Sequence, residues 1–137
     1  MAENGADVIL GHHPHVIQPI EWLDGFEGEK TLCVYSLGNF VHEQAMDYNV
    51  PGGIISFDIV DSGDGDVRVA SPLFIPTVCH YPSNFYDNVV YLLEDYTEEL
   101  ANSHAVRTYY NNTISLERLK KYVTDTISAE FLPEFLH

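Results

Sequence analysis

Apolar positions in residues 8–81 come in short runs broken by turn formers, which is how strands read, whereas beyond Pro82 their spacing stretches to a helical period. Val8-Ile9-Leu10 ends at Gly11 and predicts a short buried strand running into a loop. Residues 17–23 and 31–37 predict two strands, with the Gly-rich polar stretch 24–30 as their hairpin loop. Residues 53–60 and 66–75 flank Asp61-Ser62-Gly63-Asp64-Gly65 and predict a second hairpin, and 77–81 a further short strand. After it, Phe85, Val89, Leu92, Leu93, Tyr96 and Leu100 share one helical face, so a helix is expected over 85–101 with Ser83 or Asn84 as its cap. Leu116, Leu119, Val123 and Ile127 predict a second helix from near Ser115 to before Pro133. Strands first and helices last make an α+β fold, a mainly antiparallel sheet followed by two C-terminal helices over 83–137, with no repeat and no linker dividing the chain.

Composition narrows the function. The chain has 137 residues, 45% hydrophobic, and a formal net charge of −15. All of that excess lies in residues 1–106, which hold 17 acids and only two bases, Lys30 and Arg68. Such a surface repels phosphate backbones and anionic lipid, so no nucleic-acid partner is expected. No apolar run approaches the roughly 20 residues of a membrane helix, and the start, with Glu3, Asn4 and Asp7, does not read as a targeting signal. Cys33 and Cys79 each sit in an apolar, strand-like run, which favours buried free thiols over a disulfide while leaving both open.

The sharpest chemical signal is Gly11-His12-His13-Pro14-His15. Three imidazoles within four residues, directly after a strand end, offer nitrogen ligands to a transition metal. Pro14 stiffens the turn and disfavours helix at His13. In an extended stretch residues two apart point the same way, so His13 and His15 are the pair expected to address one metal centre, with His12 directed elsewhere. The bland alternative is an exposed polar loop that happens to be rich in histidine.

The run Gly5-Ala6-Asp7-Val8-Ile9-Leu10-Gly11-His12-His13-Pro14-His15-Val16-Ile17-Gln18-Pro19, followed some twenty residues later by Tyr35-Ser36-Leu37-Gly38-Asn39-Phe40, resembles the CapA-type poly-γ-glutamate capsule biosynthesis proteins of the calcineurin-like metallophosphoesterase superfamily. The likeness covers about residues 4–60. It implies that Gly-x-His-Pro-His is the last metal-binding segment of a phosphoesterase-like centre, with His13 and His15 as ligands of a divalent ion such as Mn, Zn or Fe. His12 falls on the x position and inherits nothing; by position alone it is a candidate catalytic group beside a leaving group. Ser36 and Asn39 match the second motif and are candidates for substrate binding at the rim. The superfamily's earlier Asp-x-His, bridging Asp and Asn-His segments have no counterpart before Gly11. The chain is therefore expected to be the C-terminal part of a larger four-layer α/β sandwich, unable to bind the metal fully or to hydrolyse alone. For the whole protein the resemblance implies a capsule polymer or other anionic substrate and a place at the cell surface. A non-catalytic assembly module, or an inactive fragment, are the competing readings, and an exposed sheet edge is a candidate for pairing with a second copy.

Weaker features read as structure. Asp61, Asp64 and Asp66 invite a calcium reading, but both flanks are strand-like and a hairpin turn accounts for them. Glu94, Asp95, Glu98 and Glu99 read as a solvated helix face, His42-Glu43-Gln44 as a surface loop that could add polar contacts beside the site, and His80 and His104 take no role.

Overall fold

Edge position explains the first strand. In the computed structural model, which describes residues 1–137 apart from 45, 64, 66, 83–85 and 111–112 and apart from the side chains of 109 and 110, β1 (Val8–Leu10) lies at the rim of a three-stranded sheet. Val8 and Ile9 are half-buried and Leu10 is exposed, so β1 is not the buried strand its apolar run predicts. It runs parallel to the central strand β3 (Lys30–Val34), an exception to the antiparallel expectation. On the other side β2 (Ile20–Asp24) pairs antiparallel with β3, closing the expected first hairpin. Pro19 has no N–H to extend the regular ladder. Pairing nevertheless continues irregularly outward, with Tyr35 N–H donating to the Pro19 carbonyl, Gln18 N–H to that of Ser36, and Ile17 bridging Leu37.

The second hairpin is the longer one. β4 (Pro51–Asp61) and β5 (Val67–His80) pair antiparallel, with a register shift between Ser56 and Asp58. The separate strand expected at 77–81 is the end of β5. Pro76 does not interrupt it, because at that position β5 has a neighbour only on the β4 side. Asp61 Oδ1 accepts from Gly63 N–H within the turn, as a hairpin requires; Asp64 and Asp66 lie outside the described residues.

The helix expected over 85–101 is not formed. β6 (Val89–Leu92) is a strand that pairs with 77–80 of β5, residues 93–95 make a 3-10 turn, and only α1 (Glu98–Ser103) is helical. Val89, Val90 and Tyr91 are good strand formers with an open ladder beside them, and that pairing outweighs the helical spacing. The cap residues Ser83 and Asn84, with Phe85, lie outside the described residues. Thr97 caps α1, its hydroxyl accepting from Leu100 N–H. α2 (Ala105–Tyr110) follows at once, and α3 (Leu116–Thr126) starts where expected, Ser115 accepting from Arg118 N–H. Among the described residues three short α-helices thus stand where two were expected, and the class remains α+β.

One core unites these parts. Leu32 and Val34 of β3, Phe74 and Val78 of β5, Leu119 and Val123 of α3, and Phe131 beyond it are all buried in a single cluster. Burying each such side chain contributes about 1.5–3 kcal/mol. Cys33 and Cys79 are both free and buried, which resolves their alternatives. Among the described residues no helix is long and apolar enough to cross a membrane.

Candidate metal-binding loop

The histidine loop begins where β1 leaves its sheet. Gly11 N–H donates to the Val34 carbonyl at 2.7 Å, and a Cβ there would lie 2.3 Å from the Tyr35 carbonyl oxygen. Only glycine fits that close approach. The loop then departs from the extended course expected of it: His13 has φ 111° and His15 φ 61°, both in the left-handed region. Such a backbone in a non-glycine residue costs about 1–3 kcal/mol and persists only where surrounding contacts enforce it. The His13 and His15 ring centroids stand 6.4 Å apart with a 46° tilt, and His12, His13 and His15 are all exposed.

The enforcing contacts come from Asn39. Gly38, at φ 71°, turns the chain after Leu37 and bridges Gly52, while Gly53 N–H donates to the Leu37 carbonyl. A Cβ at Gly52 would lie 2.0 Å from the Asn39 carbonyl oxygen, so the two sheets meet backbone to backbone at this point. The Asn39 side chain is buried there, and its Nδ2 donates to the His15 carbonyl at 3.0 Å and to Gln44 Oε1 at 3.1 Å, with the Asn49 carbonyl at 3.3 Å. Its Oδ1 lies 2.8 Å from His15 Nδ1. Because Nδ2 is committed as a donor, Oδ1 must accept, so His15 donates from Nδ1, and in the neutral ring the lone pair is on Nε2. A metal-ligating histidine is oriented in this same manner, by a carbonyl on its second nitrogen.

Asn49 adds a second clamp that the sequence did not announce. Its Nδ2 donates to the His15 carbonyl at 2.8 Å. Asn49 sits in the 3-10 turn Asp47–Asn49, and that turn is tied to the helical region. The buried Asp47 carboxylate lies 2.8 Å from the Arg118 guanidinium and accepts from the Tyr122 hydroxyl, both on α3. The helical tail thereby helps to hold the loop.

Ser36 is not brought to the histidines. It is buried, and its hydroxyl accepts from Gly38 N–H, bracing the turn that presents Asn39. His42 is half-buried beneath the loop, with Nδ1 accepting from Gln44 N–H. Burial pushes its pKa down to about 4, opposed by the Val50 carbonyl and aided by nearby His15. Among the described residues, no three His, Cys, Asp or Glu side chains converge as a complete metal site. Two imidazoles on one tetrahedral ion place their centroids about 5 Å apart, against the 6.4 Å that separates His13 from His15.

His80 and His104 contrast with this loop. His104 is buried, its Nε2 3.1 Å from the Cys79 carbonyl and its Nδ1 accepting from Val106 N–H. Burial pushes its pKa down to about 4, against the Cys79 carbonyl and with help from His80 and His42. His80 Nδ1 lies 2.8 Å from the Tyr96 hydroxyl. Both are buried core histidines, and His104 has both nitrogens satisfied.

Comparison with known proteins agrees with the two sequence motifs. Residues 1–44 match the family described as bacterial capsule synthesis protein PGA_cap. The chain is 39% identical over 69 residues to the PGA biosynthesis protein CapA of Bacillus subtilis (strain 168), covering 50% of this chain and 17% of that protein. It is 35% identical over 63 residues to the capsule biosynthesis protein CapA of Bacillus anthracis, covering 46% of this chain and 14% of that protein. The match therefore spans well under a fifth of either relative. No solved structure matches the chain. The chain is similar to these CapA proteins over about half its length, and its residues 1–44 are similar to the bacterial capsule synthesis proteins of the PGA_cap family.

Proposed function

We propose that this chain supplies the His13-Pro14-His15 metal-binding segment of a metal-dependent, phosphoesterase-like protein that takes part in poly-γ-glutamate capsule biosynthesis or export at the cell surface. The observation that carries this reading is the Asn39–His15 pair, which leaves His15 Nε2 free while fixing its ring. A divalent ion held there would supply Lewis-acid chemistry. His15 and His13 would hold it, Asn39 and Asn49 orient His15, and His12 stands beside the pair on the exposed loop. Ser36 acts one step back, through the turn that positions Asn39. The acidic field of residues 1–106 draws cations in and pushes an anionic polymer away, so polymer contact runs through the metal.

Two imidazoles do not complete such a centre, since two-metal hydrolysis also needs carboxylates to fix both cations. Hydrolysis on this reading needs ligands that the described residues do not supply, and the isolated chain is proposed to be inactive. Metal content by mass spectrometry, on the chain and on the longer protein, tests this against His13→Ala plus His15→Ala. Stoichiometric Mn, Zn or Fe in the wild-type longer protein and its loss in the double variant are expected. Absence of metal from both would favour the second reading, a non-catalytic assembly module, which gains support from the 6.4 Å separation of the rings. Turnover of a phosphodiester by the isolated chain would overturn its assigned inactivity. Pairing of a second copy through an exposed sheet edge belongs to the same proposal, and a monomer by light scattering at high concentration would remove it.

A further inference from the structure

Residues 1–106 contain only two basic side chains, and the fold brings both to one cavity. Lys30 opens β3 in the first sheet and Arg68 lies near the start of β5 in the second. They line a cavity of about 410 Å³ together with Trp22, Gly28, Glu29 and Val69. That volume lies within the range of small-molecule sites. The cavity is at the Lys30 end of β3, whereas the histidine loop departs at the Val34 end, so the two places share no residue.

The charges facing the cavity are unequal in their availability. Lys30 is 2.5 Å from Asp24, but both groups are largely exposed, and such pairs contribute little. Arg68 has no ion-pair partner among the described residues, in a part of the chain where acids outnumber bases by 17 to two. A guanidinium presents a planar fork matched to a carboxylate. Beside it, Trp22 and Val69 give the wall an apolar, partly aromatic face. Glu29 lines the same wall and Asp24 pairs with Lys30, so Arg68 is the one cation of the cavity without an acidic partner among the described residues, which suits a monoanion and disfavours a doubly charged phosphate.

We propose that this cavity is a binding site for a small organic monocarboxylate, its carboxylate paired with Arg68 and Lys30 and its apolar body lying against Trp22 and Val69. It is independent of the metal-binding reading, and it gives the two bases of the acidic region a common purpose.

Trp22 is the chain's only tryptophan, so its emission reports on this cavity alone. The 137-residue chain is titrated with hexanoate, hexan-1-ol and inorganic phosphate at constant ionic strength, and the Trp22 indole N–H and Arg68 Nε–H shifts are followed by NMR in parallel. Hexanoate is expected to give saturable changes at Trp22 and Arg68. Affinity should fall at least tenfold in Arg68→Gln and severalfold in Lys30→Gln, both exposed positions whose replacement leaves the circular dichroism unchanged. His13→Ala plus His15→Ala should bind hexanoate as the wild type does, so that loss of the metal site and loss of this one are separable. Equal response to hexan-1-ol, tighter binding of phosphate than of hexanoate, undiminished binding in Arg68→Gln, or no saturable change by either method would each overturn the assignment.

Discussion

Two sets of histidines do opposite work. His12, His13 and His15 sit exposed on backbone that is partly left-handed, clamped by Asn39 and Asn49, with His15 Nε2 kept free. His80 and His104 are buried among Tyr81, Tyr91 and Tyr96, and His104 has both nitrogens occupied. In the first set, Nε2 of His15 is left without a protein partner among the described residues; in the second, both nitrogens of His104 and Nδ1 of His80 are used inside the core. The imidazole itself decides nothing, and the partner of its second nitrogen decides a great deal.

The comparison breaks most completely at Gly52. A methyl group there would enter the Asn39 carbonyl at 2.0 Å, and neither backbone can yield without parting the sheets. Gly52→Ala should destabilise the chain by about 3 kcal/mol or more in urea unfolding, while also loosening the loop through Asn39. A variant of wild-type stability would show that the junction is more pliant than its geometry states.

Acid separates the two sets without mutation. The His104 pKa lies at about 4 in the folded chain against an ordinary 6.5. Above pH 6.5 the group is neutral in both states and adds no pH dependence. As pH falls from there toward 4, the unfolded chain gains a proton that native His104 does not, and stability drops by about 1.4 kcal/mol per pH unit, about 3 kcal/mol over the window. Burial shifts His80 in the same direction. Unfolding midpoints at pH 7, 5.5 and 4.5 should therefore fall steeply in wild type and less steeply in His104→Gln; equal slopes would sink the assignment.

Asn39 connects loop and core, and its removal is the next test. Asn39→Ala removes the acceptor of His15 Nδ1–H and a donor shared by the Gln44 side chain and the Asn49 carbonyl, leaving the His15 carbonyl to Asn49 alone, which should cost about 1–3 kcal/mol of stability. On the proposed metal-binding role it should also cost about 10–100-fold in metal affinity. Asn39→Asp keeps the acceptor for Nδ1 and should retain most of that affinity. Equal affinities in both variants would reduce Asn39 to a purely structural residue.

What could be read from the sequence follows the reach of each interaction. The histidine loop was legible because glycine, proline and three imidazoles are adjacent, and both hairpins because their turns are local. Asn39 was singled out by its motif, but its actual partner, His15, lies 24 positions away and the motif does not name it. Asn49 carried no signal, since it meets a backbone carbonyl 34 positions distant. The helix expected over 85–101 failed for the same reason: β5 offers Val89–Leu92 a ladder that no periodicity within that segment reveals. Local chemistry was visible, and contacts that assemble it across the chain were not.

The finest test of the contrast lies in the backbone of His13. At φ 111° a β-carbon is strained, whereas glycine accepts that conformation freely. His13→Ala keeps the strain and removes the ring, and His13→Gly removes both, at some entropic cost in the unfolded chain. Comparison of the two isolates the strain from the imidazole, which is exposed and contributes little packing. His13→Gly should be more stable than His13→Ala by about 1 kcal/mol, read from urea midpoints at pH 7, with both lacking the ligand. If the two are equally stable, the loop holds His13 in its left-handed backbone without strain.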